Sequence, residues 1–136
     1  MGAGLTGCSR AVPVDAAPSA TDPACAEVLV RLPDALGDRE RRQVTSQAAA
    51  AWGDGDSLVV VRCGLEPSGP TTDRCLRVGA VDWVTSTGEG TTRYTTYGRS
   101  PAVEIELQGT EPEGTDLVLS EIGTAVEILP ADRECT

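Results

Sequence analysis

Two carboxylates that lie two residues apart are the residues of this chain best spaced for hydrolytic chemistry. Glu104 and Glu106 alternate with Val103, Ile105 and Leu107, a pattern that predicts a half-buried strand with both glutamates on its polar side. Side chains at this spacing are about 7 Å apart, which suits paired carboxylates in glycoside hydrolysis. Alternation also turns both groups toward solvent, where burial has little chance to tune them. We therefore expect a solvated strand face, and a carboxylate-dependent cell-wall hydrolase is the alternative.

The densest cluster of side chains typical of binding surfaces consists of Arg93, Tyr94, Tyr97 and Arg99. Arginine and tyrosine are enriched at interaction hot spots. Tyr97 ends a predicted strand and Arg99 lies on the turn after it, so we expect both to contact a partner. A guanidinium on a turn can bind a carboxylate or phosphate through two hydrogen bonds, and cell-wall polymers and anionic lipids carry such groups. The competing interpretation is ordinary strand packing, with an arginine that offsets an acidic surface.

Composition limits the remaining chemistry. The 136 residues include no His, Lys, Asn or Phe, and 21 acidic residues against 11 basic ones give a net charge of −10. Without His or Lys the chain has no imidazole base and no Schiff-base lysine, so we expect no enzyme, no metal and no cofactor. We also expect no nucleic acid as a partner, because nucleic-acid binding requires a positive surface. Asp54 and Asp56 have the spacing of calcium ligands, but the rest of a calcium loop is missing, and a polar turn is expected.

The motif Leu5-Thr6-Gly7-Cys8 predicts a lipidated cysteine. The Cys8 thiol would carry the lipid that anchors the chain to the cell membrane on its extracytoplasmic side. Only seven residues precede Cys8, too few for a signal peptide, so we interpret residues 1–8 as the remnant of a longer lipoprotein signal. Residues 9–21 are rich in Ala, Pro, Ser and Asp and predict a flexible stalk. The alternative is that the four-residue motif arose by chance.

With Cys8 assigned to lipid, an even number of cysteines remains: Cys25, Cys63, Cys75 and Cys135. An exported chain favours disulfides, and four cysteines permit three pairings that sequence alone does not decide. We prefer Cys25 with Cys135, which antiparallel terminal helices would bring together, and Cys63 with Cys75, which flank one loop. A zinc site of four thiolates is the alternative, but such sites usually contain close-spaced pairs of cysteines, and this chain has none.

Local patterns predict one α+β domain over residues 22–136. Asp22 and Pro23 are typical of a helix start, and Pro33 limits that helix. The apolar run Leu58-Val59-Val60-Val61 predicts a buried central strand. In chain order we expect a helix at 22–32, a short turn at 36–37, a solvated charged run at 38–42, a short strand at 43–45 and a connection at 48–51. Strands then follow at 58–63, at 75–78 resuming at 80–86, at 91–97 and at 103–107, with a hairpin turn at 87–90, and a helix at 115–129 ends the order. This order predicts a mostly antiparallel sheet of four or five strands, with an N-terminal and a C-terminal helix packed on one face.

Three segments resemble an actinobacterial envelope family of unknown function. They are Ala49 to Cys63, Asp82-Trp83-Val84, and Thr95 to Val103. On these segments the chain is identified as a member of the family defined by the domain of unknown function numbered thirty-five-fifteen, and the resemblance covers roughly residues 22–135. It implies a small secreted or membrane-anchored domain, and it lends no catalytic residue.

These patterns together predict an exported, lipid-anchored domain that acts as a non-catalytic binding or adaptor module. Its partner would be a cell-wall polymer or an envelope protein, and the lipid on Cys8 would contact the membrane. The surroundings of Glu104 and Glu106 discriminate between the two functions. A cleft with a third polar group favours the hydrolase, whereas open solvent favours the module.

Overall fold

The polypeptide forms eight strands and two helices in the computed structural model, which describes residues 10–109 and 112–135. The elements in chain order are α1 (Pro23–Val30), β1 (Ala35–Leu36), β2 (Arg39–Arg42), β3 (Ala49–Trp52), β4 (Val59–Leu65), β5 (Cys75–Val78), β6 (Val81–Gly88), β7 (Thr91–Thr96), β8 (Ala102–Gln108) and α2 (Thr115–Val126). The strands form one sheet in the order β1-β2-β3-β4-β8-β7-β6-β5, and all neighbours are antiparallel. The predicted α+β class and antiparallel sheet are confirmed, and the predicted count of four or five strands is wrong.

Two local signals produce the structures that they predict. Asp22 Oδ1 accepts a hydrogen bond from the Ala24 amide at 2.8 Å, and Pro23 begins α1, where its missing amide hydrogen costs nothing. Glu89 and Gly90 both have positive φ angles, 54° and 77°. Positive φ at both central residues is the feature of the two-residue turn that matches the twist of a β-hairpin. The helix start at 22–23 and the hairpin at 87–90 are therefore confirmed.

Helix α2 lies on the concave side of the sheet. It contacts both β1 and β5, which are the two edge strands, so the sheet must curve around it. Gly123 faces the sheet near Trp83, and a Cβ at this position would lie 4.0 Å from Trp83 Cζ2. Helix α1 packs against β4 and α2. The core combines both helices with the sheet, and its large buried side chains include Trp52, Trp83, Leu36, Ile105, Leu107, Leu119 and Ile122. This placement differs from the prediction, because the two edge strands enclose α2.

Three of the additional strands arise between α1 and β4, and another arises because the strand expected to resume at 80 turns back and pairs as β6 with β5. The charged run at 38–42, predicted as a solvated face, contains β2, and the predicted connection at 48–51 contains β3, whose four residues are all buried. The predicted turn at 36–37 is strand β1 followed by Gly37. Residues 43–45 form no named strand, and Val44 makes only an isolated bridge to Val12. The charged run is solvated as predicted, since Asp38, Glu40 and Arg41 are exposed, but its strand was missed. Strands β2 and β3 were missed because charged and alanine-rich segments have low strand propensity, which pairing with neighbouring strands overrides. The predictions of a turn at 36–37 and a strand at 43–45 were wrong.

Residues 10–20 lie against the sheet, whereas their composition predicts a flexible stalk. Val12 is 7% exposed, and its amide donates to the Gln43 carbonyl at 2.8 Å. The Ser19 amide donates to the Gly64 carbonyl at 2.8 Å. Gly64 has φ +114°, and a Cβ there would lie 2.6 Å from Ser19 C, so only glycine permits this approach. The segment docks because it contributes backbone hydrogen bonds and a buried valine, neither of which its overall composition reveals.

Two disulfides are present, and both preferred pairings were wrong. Cys25 is bonded to Cys63 with their Cα atoms 5.6 Å apart, and Cys75 is bonded to Cys135 with Cα atoms 5.9 Å apart. The first pair forms because the first turn of α1 packs over β4. The second forms because the chain after α2 returns along the end of β7, where the Asp132 amide donates to the Gly98 carbonyl at 2.8 Å, and reaches the edge strand β5.

Candidate functional site

The face of the sheet that points away from α1 and α2, called here the outer face, carries a row of charged residues on three neighbouring strands. The register places Arg62 of β4 opposite Glu104 of β8, and Arg93 of β7 opposite Glu106 of β8. Opposite residues of an antiparallel pair project to the same side with closely spaced Cβ atoms. The two glutamates of the central strand therefore each face an arginine, one on either side.

The two Arg–Glu pairs differ in their exposure to solvent. Arg62 Nη2 lies 3.0 Å from Glu104 Oε1, and the side chains are 25% and 15% exposed. Arg93 Nη2 lies 2.8 Å from Glu106 Oε2, and these side chains are 46% and 27% exposed. The Arg62 pair is thus mostly enclosed, whereas solvent reaches the Arg93 pair. Exposed ion pairs contribute little to stability, so the Arg93 pair is available for interactions with another molecule.

A cleft of about 500 Å³ contains both pairs. Its wall is the docked N-terminal segment, and Arg62 Nη1 donates to the Asp15 carbonyl of that wall at 3.2 Å. Its floor includes the apolar side chains of Leu58 and Val60. The residues that line this space, called here the sheet-face cleft, are Val12, Pro13, Val14, Asp15, Leu58, Val60, Arg62, Arg93, Glu104 and Glu106.

The cleft brings together the two carboxylates that the sequence singled out. Glu104 and Glu106 share it with two arginines, so the glutamates do not lie on the open strand face that we expected. Each carboxylate accepts hydrogen bonds from its arginine, at 3.0 and 3.2 Å for Glu104 and at 3.1 Å for Glu106. The arrangement can bind groups of either charge next to an apolar surface.

The predicted Arg/Tyr cluster is divided among different surroundings. Arg93 lies in the sheet-face cleft. Tyr94 lies opposite Ile105 on the helix side and packs partly against the core. Tyr97 is half-buried, and Arg99 is only 8% exposed. Strand alternation and the turn after β7 therefore separate the four residues.

Arg99 binds the end of helix α2. Its guanidinium donates to the carbonyls of Leu129 at 2.5 Å, Glu127 at 3.2 Å and Ala80 at 2.9 Å. A cation at this position also interacts favourably with the helix dipole. These bonds join the α2 terminus to the turn between β5 and β6, so they satisfy the guanidinium within the fold. The prediction that Arg99 contacts a partner is therefore replaced by a structural role.

A second cavity of about 470 Å³ lies beside Tyr97 and was not anticipated from the sequence. Asp82, 5% exposed, forms an ion pair with Arg77, whose Nε lies 3.0 Å from Asp82 Oδ1. Asp82 Oδ2 accepts from the Cys135 amide at 2.8 Å. The chain near the Cys75–Cys135 bridge closes this cavity. Arg77 lies opposite Asp82 in the β5–β6 pairing, whereas Cys135 belongs to the distant segment after α2.

The other predicted sites carry no comparable geometry. Asp54 precedes the 3-10 turn Gly55–Ser57 and Asp56 lies within it, and both are exposed. Within residues 10–109 and 112–135, no group of three or more Cys, Asp or Glu side chains is arranged to hold a metal ion. Cys8 lies outside the described residues. Neither helix in the described part of the chain has the length and apolar character required to cross a membrane.

Comparison with known proteins agrees with the resemblance of the three segments. No curated protein and no solved structure matches the chain. The model of one family matches residues 8–133, which include every residue of the sheet-face cleft. The chain belongs to this family, described as a protein of unknown function (DUF3515).

Proposed function

We propose that this chain is the exported domain of a lipid-anchored envelope protein, and that it acts as a non-catalytic binding module through the sheet-face cleft. One observation carries the proposal: the solvent-exposed Arg93–Glu106 pair lies in a cleft beside apolar side chains. A volume of about 500 Å³ is within the range of small-molecule sites. Such sites combine an apolar lining with a few polar groups that orient the ligand.

A lipid on Cys8 would place the domain at the membrane surface. The motif Leu5–Cys8 favours lipidation of Cys8, and two disulfides favour an oxidising compartment. The buried Val12 lies four positions after Cys8, so an extended chain would place the cleft wall within about 14 Å of the lipidated residue. Because residues 10–20 dock on the sheet, the lipid would hold the cleft close to the lipid headgroups.

Photo-crosslinking in the native envelope tests the binding function. A photoreactive residue at Thr95, which lies opposite Glu104 on the outer face, should form adducts with the ligand. The double variant R93Q/E106Q should abolish these adducts. The same photoreactive residue at Glu121, exposed on α2, is the matched control and should not form them. Equal adducts at both positions, or adducts that persist in the double variant, would contradict the proposal.

A carboxylate-dependent cell-wall hydrolase is the second candidate, because Glu104 and Glu106 lie in a cleft with further polar groups. A glycosidase needs one carboxylic acid that donates a proton. Both glutamates instead accept hydrogen bonds from arginines, which favours the binding module. Release of soluble fragments from purified cell wall by the native chain, with loss in E104Q or E106Q, would establish the hydrolase.

A further inference from the structure

We infer that the ligand of the sheet-face cleft is a zwitterion, a small molecule with a primary ammonium group for Glu106 and a carboxylate or phosphate for Arg93. This inference rests on the proposed function and specifies its ligand class. It follows from three features of the cleft: the different roles of the two ion pairs, the charge balance of the exposed pair, and the apolar floor.

The enclosed pair forms part of the fold. Arg62 bonds Glu104 and also donates to the Asp15 carbonyl of the cleft wall, so its exchange with a ligand would remove one of the bonds that hold the wall. Arg93 donates only to Glu106 among the side-chain hydrogen bonds of the described residues. Its greater exposure, 46% against 25% for Arg62, lets a ligand reach the guanidinium. The Arg93–Glu106 pair is therefore the exchangeable one.

The charge balance of the exchangeable pair selects the ligand. An anion that takes Arg93 leaves the Glu106 carboxylate without its guanidinium partner, and a cation that takes Glu106 leaves Arg93 without its carboxylate. In the free cleft water solvates such a charge, but a bound ligand displaces that water, and an unpaired charge is costly once water is excluded. A molecule with both charges replaces each half of the pair, so neither residue loses its partner. Arg93 can also bind a carboxylate or phosphate through two parallel hydrogen bonds.

The apolar floor indicates the remaining part of the ligand. Leu58 and Val60 are half-buried on the floor, and Val12 of the wall faces the same space. A small aliphatic group beside the two charges would cover this surface and remove it from water. The free ends of a short peptide supply the two charges together with such a group. The headgroup phosphoethanolamine supplies the charges without a branched aliphatic side chain.

Titration of the full oxidised chain by two-dimensional NMR distinguishes these sources. The probes are the dipeptide Ala-Val with free ends, its N-acetylated form, its amidated form, the form blocked at both ends, and phosphoethanolamine. Ala-Val should shift the backbone amides of Arg93, Thr95 and Glu106 in a saturable way. Each single block should weaken binding about tenfold or more, since about 1.4 kcal/mol corresponds to a factor of ten. Saturable shifts with phosphoethanolamine would support the same chemistry from a lipid headgroup.

Variants assign the binding to the exposed pair. R93Q/E106Q should abolish the saturable shifts, whereas E27Q/R31Q should leave them unchanged. The latter removes an exposed pair at the C-terminal end of α1, in which Arg31 Nη1 lies 2.9 Å from Glu27 Oε1, and it serves as the matched control. The NMR spectrum of each free variant verifies that it is folded.

Two results would overturn the inference: binding of the doubly blocked peptide as tight as that of the free one, or no saturable shift with any probe. The photo-crosslinking result separates this failure from that of the proposed function. Adducts at Thr95 that require Arg93 and Glu106 would retain the binding module and reject only its zwitterionic ligand. Absence of such adducts would reject the module itself.

Discussion

Replacement of Arg99 by alanine should destabilise the domain strongly. Arg99 is 8% exposed and donates three hydrogen bonds to backbone carbonyls of the α2 terminus and the β5–β6 turn. Hydrogen bonds from charged groups contribute about 1.5–3 kcal/mol each, so three give an upper limit of about 9 kcal/mol. The alanine variant also no longer buries a charge, and the desolvation cost that it avoids offsets part of this loss. We therefore expect the free energy of unfolding to fall by about 3–5 kcal/mol. At about 4 °C per kcal/mol, Tm should fall by about 12–20 °C.

Urea denaturation of Arg99→Ala and Arg93→Ala, followed by circular dichroism, tests this reasoning. Arg93 is the control because its ion pair is exposed, and its removal should cost less than about 1 kcal/mol. Arg99→Lys keeps the charge but not the planar donor geometry, so its stability should lie between those of the native chain and Arg99→Ala. An Arg99→Ala variant as stable as Arg93→Ala would refute the structural role. It would restore Arg99 as a candidate contact residue.

Two further predictions concern the cysteines. Mild reduction should open Cys75–Cys135 before Cys25–Cys63, because Cys75 and Cys135 are half-buried whereas Cys25 and Cys63 are 0% exposed. Alkylation and mass spectrometry of the folded protein would show this order. The reverse order would contradict the burial argument. Each bridge closes a loop of 60 or 38 residues, for which chain entropy gives about 4 kcal/mol, so Tm should fall at each step. With a full signal peptide supplied, the protein should partition into detergent and Cys8→Ala should not; equal partitioning would exclude Cys8 as the anchor.

Several features of the fold follow from short segments of sequence. Asp22 and Pro23 begin α1, the glycine at 90 permits the hairpin turn, and alternation along β8 separates the core residues from Glu104 and Glu106. Each depends on the conformational preferences of a few adjacent residues. The even number of cysteines beyond Cys8 also indicated disulfides, although it did not indicate which cysteines pair. These features required no knowledge of distant parts of the chain.

The candidate site could be predicted only in part. Alternation identified the two glutamates, but it did not indicate that Arg62 lies opposite one and Arg93 opposite the other, because register between β4, β8 and β7 is a long-range property. The cleft wall was missed because residues 10–20 have the composition of a linker. Their docking depends on the close approach that Gly64 permits from another part of the chain.

The sequence by itself determined the α+β class, the helix start and hairpin, the family, and the presence of disulfides. Tertiary structure decided which cysteines pair, which arginine faces solvent and which supports a helix. Arg93 and Arg99 have the same chemistry and lie six residues apart, yet one lies in the sheet-face cleft and the other beneath the α2 terminus. Local patterns report the conformational preferences of neighbouring residues. A binding site instead depends on contacts between distant segments, which strand register and the path of the chain after α2 bring together.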